Sequence, residues 1–238
     1  MAGNDRKRQK KAERRKARSK EKKKALARRE SAGLPAKLAT ASKYPVLHCW
    51  MTYTNQTQGM GYVTLSRESP GGLVAVACFL VDRFCLGVKD VVLDVMHRTD
   101  YEDRFQRELR SRQPGEDVPP QDAVKYVTGA VAYARSVGLA PHPDYAKATV
   151  LFAGIDPAAS TATYEYGEKG KPHFIAGPHD GPARCRQILA ILENTCGRGG
   201  YHFTIPFGDP TMMPDDARFE RLGWDEAEDD EDEEDDKE

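Results

Sequence analysis

Several short segments hold side chains whose types and spacing can support chemistry. In Asp82-Arg83-Phe84-Cys85-Leu86-Gly87-Val88-Lys89-Asp90 a cysteine lies between basic residues. Such a thiol can be drawn toward thiolate and act as a nucleophile. Asp82 and Asp90 can in turn hold a cation. The plainer reading makes Asp82 and Gly87 turn residues and Cys85 a small buried apolar side chain. His142 and Asp144, in Pro-His-Pro-Asp-Tyr, can form a His–carboxylate pair for proton transfer. They also fit a proline turn followed by a capped helix start. Gly177-Pro178-His179-Asp180-Gly181 joins a strand to a helix start, where free backbone N–H groups attract phosphate. The Asp180 carboxylate competes for the same donors as a cap. His202 alternates with Tyr201 and Phe203, so it faces the opposite side of a strand from both. The candidate catalytic groups are therefore Asp82, Cys85, His142, Asp144, His179 and His202, with no reaction assigned. No metal or cofactor is expected. There is no CxxC pair, Cys78 and Cys85 are seven apart, and His48 and Cys49 are neighbours that a strand points to opposite faces.

The strongest functional signal is charge. Residues 1–43 hold 17 Lys/Arg against 4 Asp/Glu, a net of +13, and residues 215–238 hold 3 against 15, a net of −12. The intervening 44–214 holds 16 against 18, so the whole chain comes to −1. In the arm, Lys7, Arg8, Lys10, Lys11, Arg14, Arg15, Lys16, Arg18, Lys20, Lys22, Lys23, Lys24, Arg28 and Arg29 form a field suited to RNA, DNA or a ribonucleoprotein surface. A solubilising tail is the plainer reading of such a run. No Walker, zinc-finger or RNP motif accompanies it. The acidic tail can fold back on the arm as an internal competitor, or each tail can be solvated on its own.

The elements that must position these groups are read from periodicity. Residues 44–54 and 60–67 are β-type, Leu73 to Val81 is an apolar run fit for a strand buried on both faces, and Val88 to Val95 continues a meander. Thr99 and Glu102 predict a capping box for a helix with Tyr101, Phe105 and Leu109 on one face. Pro114 to Pro120 reads as a linker. Val124, Val127, Val131 and Ala134 predict a second helix stopped by Gly138. Asp144 caps a short helix bearing Tyr145, Ala148 and Phe152. Residues 162–176 read as a hairpin turning at Gly167 to Lys171. Asp180 caps a helix carrying Cys185, Ile188, Leu189 and Leu192, and Tyr201 to Pro206 is the last strand. The arm, rich in helix formers but without an apolar stripe, is helical or disordered and ends at Gly33-Leu34-Pro35. The tail after Asp225 is too polar to order.

The expected fold class is thus α+β: an antiparallel strand meander followed by helices, a hairpin and a C-terminal helix and strand, with disordered charged tails. The expected domains are a basic arm at 1–43, one globular domain at 44–214 and an acidic tail at 215–238.

The strings Phe79 to Asp90, Gly138 to Ala148, Gly170 to Asp180 and Gly199 to Phe203 resemble an uncharacterised family of bacterial proteins. The resemblance covers about residues 43–206. It implies a shared fold, and because that family has no assigned reaction it transfers no catalytic residue.

Composition excludes several classes. No apolar run approaches a membrane span, and the N-terminus lacks a secretory core. Asp5 and Glu13 argue against a transit peptide. Five scattered cysteines suit a reducing compartment rather than a disulfide scaffold. A cytoplasmic nucleic-acid or ribonucleoprotein partner with no membrane association is the leading expectation. An enzyme of unassigned chemistry and a protein-interaction module are the alternatives.

Overall fold

The computed structural model describes residues 33–177 and 180–204. Within them the fold is a mixed α+β arrangement around a five-stranded antiparallel sheet. Its strands are β1 (Val46–Thr52), β2 (Met60–Glu68), β3 (Leu73–Asp82), β4 (Gly87–His97) and β5 (Gly115–Asp117), in the order β4-β3-β2-β1-β5. The expected meander is therefore present. The Pro114 to Pro120 stretch adds a short edge strand to it, with Met51 opposite Glu116.

β3 explains why the apolar run had no polar face. Ala75, Ala77, Phe79 and Val81 point into one core, and Val74, Val76 and Cys78 into another. All seven side chains are fully buried or nearly so. The first core is covered by the helix Pro120–Ser136, whose Val124, Val127 and Val131 face the sheet, and by the segment 145–155. The second is covered by residues 98–112, with Tyr101, Phe105 and Leu109 inward as their spacing predicts.

Several local expectations change. The 98–112 helix begins at Arg98, with His97 in the capping position, and contains a π-type stretch at Glu102–Leu109. β4 runs straight into it, so Thr99 is already inside the first turn. Glu102 accepts from Arg98 Nε at 2.8 Å instead of closing a capping box. Gly33-Leu34-Pro35 lies in helical residues 33–41, so Pro35 does not hold Leu34 out of helical geometry. Proline's fixed φ is compatible with that geometry. Leu38 and Ala41 of this segment join the first core, so the packed unit includes residues on the arm side of position 44.

The C-terminal part forms a lobe with its own core. The helix Pro182–Cys196 buries Cys185, Ile188 and Leu192 against Ala134, Phe174 and Cys85, with Leu189 half-buried. The 162–176 hairpin contracts to a bridge between Glu168 and Lys171. Its returning strand, β6 (His173–Ile175), pairs in parallel with β7 (His202–Thr204). Tyr164 and Tyr166 pack their rings on Tyr126 rather than forming a strand.

One buried cation ties these parts together. Arg67 of β2 is 5% exposed, and its guanidinium donates to three carbonyl oxygens: Leu151 at 2.8 Å, Tyr44 and Ala153. Burial lowers its pKa. Carbonyl dipoles here take the part a carboxylate would otherwise play.

Candidate functional site

The β3–β4 turn gathers most of the sequence-derived candidates. Asp82, buried at the end of β3, accepts from the backbone N–H groups of Phe84 (2.9 Å), Cys85 (3.1 Å) and Leu86 (3.2 Å). Gly87 then takes φ +68°, and a Cβ there would meet Ala130 O and Ala134 Cβ at 3.0 Å. The turn and the long helix can approach closely only because that position carries no side chain. Burial pushes the Asp82 carboxyl up to about 6, against the opposing pull of Leu86 N–H, Lys89 and the other two N–H donors.

The same turn presents its outward groups to the C-terminal lobe. Arg83 O accepts from Gly167 N at 2.9 Å, and Phe84 O from His173 N at 3.1 Å. Arg83 Nη1 donates to Glu165 O at 2.9 Å. Just beyond, Val88 O accepts from His142 N, and Lys89 Nζ meets Asp180 Oδ2 at 2.7 Å.

The described candidates share this end of the sheet but not one reactive centre. Cys85 is fully buried in the lobe core, and burial, aided by the Asp82 charge, drives its thiol strongly upward. That is the environment of an inert cysteine. Cys49 and Cys78 are likewise pushed up to about 12 by burial. The Asp144 carboxylate turns to Lys147 Nζ at 2.5 Å, while the Asp144 backbone N–H donates to His142 Nδ1 at 3.2 Å. His142 Nε2 faces Asp90 at 3.7 Å. The expected His142–Asp144 pair is thus a turn, and Asp144 makes no side-chain cap. His179 and the fourteen basic residues of the arm lie outside the described residues. Among the described residues, no cluster of His, Cys, Asp and Glu is arranged to hold a metal.

Asp180 departs from its expected role. The helix start is capped by Gly181, with Pro182 following. Asp180 instead accepts from Gly177 N at 2.9 Å and Arg184 Nε at 2.9 Å, besides Lys89. Burial alone would raise its pKa. The Lys89 hydrogen bond, the Gly177 N–H and the Lys89 and Arg184 charges outweigh burial and hold it below the usual carboxylate range. A carboxylate already saturated by two cations and an N–H is a structural anchor. It leaves little reason for phosphate to bind there.

Sequence reasoning missed a second arrangement. His202 sits exposed on β7, opposite His173 of β6 in parallel register, with the rings edge to face at 6.1 Å. His173 Nε2 lies 2.9 Å from Thr204 Oγ1, and its Nδ1 lies 2.7 Å from Glu168 Oε2. The Glu168 contact falls off the N–H axis, so it is electrostatic rather than an aligned hydrogen bond. A carboxylate, an imidazole and a hydroxyl in this order are the parts of a base-activated nucleophile. The available signal was the repeated His-Phe pair at 173–174 and 202–203, which the parallel pairing aligns.

Comparison with protein-family models, curated proteins and solved structures finds no match for the chain.

Proposed function

We propose that this protein binds nucleic acid or a ribonucleoprotein surface through its basic N-terminal arm, with the acidic tail as a modulator. The observation that carries the reading is the charge layout: +13 over residues 1–43 beside a middle of −2. Binding by such a segment is driven by release of counterions from the polyanion and requires no base-specific pocket. Support also comes from the root of the arm, where Leu38 and Ala41 fasten residues 33–41 to the sheet. The test is affinity for RNA and DNA as a function of salt, for the full chain and for a chain lacking residues 1–30. Deletion is expected to weaken binding strongly and to flatten its salt dependence. Equal retention of both proteins on an RNA column would refute the reading.

A hydrolytic reading comes second, favoured by the Glu168–His173–Thr204 arrangement. Thr204 Oγ would attack an acyl carbon, His173 Nε2 would take the hydroxyl proton and pass it to the leaving group, and water would release the acyl group. It ranks lower because Thr204 is exposed to water and Glu168 is misaligned. Hydrolysis of an activated ester that disappears in both Thr204→Ala and His173→Ala would support it. Unchanged rates would remove it.

A further inference from the structure

β4 is one edge of the five-stranded sheet, and at 11 residues it is much longer than the 3-residue β5 at the other edge. Arg98 N donates to Gly72 O just beyond the ladder. By alternation, the backbone of Val92, Asp94 and Met96 faces β3, and that of Val91, Leu93 and Val95 faces away from it. Among the described residues, the one other segment whose backbone bonds the outer side of β4 is at His142, whose N–H donates to Val88 O at 2.9 Å. The stretch from Val91 to Val95 is thus an open template for a further strand. Val91, Leu93 and Val95 pack on the first core and Val92 on the second, so an added strand would find apolar surface on both of its faces. Such an edge is suited to pairing with another chain.

Two aspartates bracket it. Asp90 Oδ1 accepts from Val91 N and Asp94 Oδ1 from Val95 N, each at 2.7 Å. Of the outward N–H groups of Val91, Leu93 and Val95, the first and last are therefore occupied by carboxylates that belong to β4 itself. A second strand would have to displace them, and its carbonyl oxygens would meet carboxylate oxygens where they need donors. For a second copy of β4 the penalty doubles. Antiparallel pairing about Leu93 sets Asp94 opposite Val92 of the second copy, and the two Asp94 carboxylates then lie on a diagonal of ~7–8 Å. Charges repel over that distance at physiological salt. A bulge at Lys89, between the Val81–Val88 and Leu80–Asp90 pairs, also breaks the register just before the open stretch.

We infer that Asp90 and Asp94 hold the β4 edge closed to a second copy of this chain, by capping its outward N–H groups and by charging the seam. The device acts on self-association and is independent of what the basic arm binds. It also accounts for the run Asp90-Val91-Val92-Leu93-Asp94. Val91, Val92 and Leu93 cover the rims of two cores, and a short β-branched apolar run of that kind is prone to strand addition when it lies at an edge. The flanking aspartates let the run stay there without joining copies of the chain together.

The full chain carrying both Asp90→Ala and Asp94→Ala tests this, read by light-scattering mass and by amide hydrogen exchange over residues 91–95 across the micromolar range. The double variant should keep a cooperative thermal transition and grow in mass with concentration where wild type does not. As it does so, exchange at Val91, Leu93 and Val95 should slow, by about tenfold for an edge that is paired nine-tenths of the time. A mass equal to that of wild type at every concentration overturns the inference. So does association that leaves exchange over 91–95 unchanged, because another surface would then be responsible. Exchange over 91–95 that already depends on concentration in wild type would show the edge in use, which is the opposite of the inference. Loss of the cooperative transition in the double variant would make the two aspartates supports of the fold rather than guards of its edge, and overturns it as well.

Discussion

The β3–β4 turn and the loop before the C-terminal helix each bury one aspartate, and the two are ionised on opposite terms. Asp82 receives three backbone N–H groups, yet burial raises its pKa. Asp180 is also buried, at 3% side-chain exposure, yet its pKa is lowered. The difference is the partner. Amide dipoles satisfy the lone pairs of a carboxylate but only partly replace the water it has lost. A lysine ammonium at 2.7 Å and an arginine at 2.9 Å supply the opposite charge as well. The turn is thus shaped by an aspartate that would be more comfortable neutral. The lobe is pinned by one that needs its charge.

The largest expected effect comes from a buried carboxylate with neither kind of partner. Val76 is fully buried and lies opposite Asp94 across the β3–β4 ladder. Val76→Asp is expected to abolish cooperative folding, because an unpaired charge would enter the second core. A soluble variant with a sharp thermal transition would break the comparison at its root. Next, Lys89→Met should destabilise by ~3 kcal/mol, toward the lower end for a broken buried pair because Arg184 and Gly177 still hold Asp180. Denaturant unfolding would measure it, and a loss below ~1 kcal/mol would show the Lys89 pair to be dispensable.

The pH behaviour sharpens the contrast. Folding raises the Asp82 pKa, so the native state holds that proton more tightly than the unfolded chain. Its contribution is most favourable below the ordinary carboxylate value and is lost as pH rises to about 6. Relative to Asp82→Asn, wild type should lose roughly 2–3 kcal/mol across that window, and parallel stability curves would contradict this. Asp180 runs the other way: its contribution is full above the ordinary carboxylate value and is lost as pH falls through the lowered native one. The smallest effect belongs to Arg184, which is 55% exposed. Arg184→Ala should cost about 0.5 kcal/mol or less, since solvent screens the pair, and a much larger loss would mean that Arg184 rather than Lys89 neutralises Asp180.

Local patterns of residue type made much of the fold legible. The approximate bounds of β1 to β4 survive, and so do the buried faces Tyr101-Phe105-Leu109 and Val124-Val127-Val131. The polar side chains misled. Thr99, Asp144 and Asp180 each stand where a cap belongs, but none caps a helix with its side chain. Arg67 reads as an ordinary polar residue on a strand, and nothing near it in the chain announces the carbonyls of Leu151 and Ala153. His173 and Thr204 are separated by the whole C-terminal helix.

By itself the sequence determined the segregated charges of the two ends, the meander and the inward faces of its helices. All of these depend on residue type and on a spacing of a few positions. Only the tertiary structure decided that β6 pairs in parallel with β7 across an intervening helix, and that Asp180 answers Lys89 rather than its own helix. It likewise decided that Cys85 is sealed in a core while His173 meets Thr204. Those outcomes turn on which distant surfaces exclude water together. A carboxylate or an imidazole takes its partner and its ionisation from that packing, not from its neighbours in the chain.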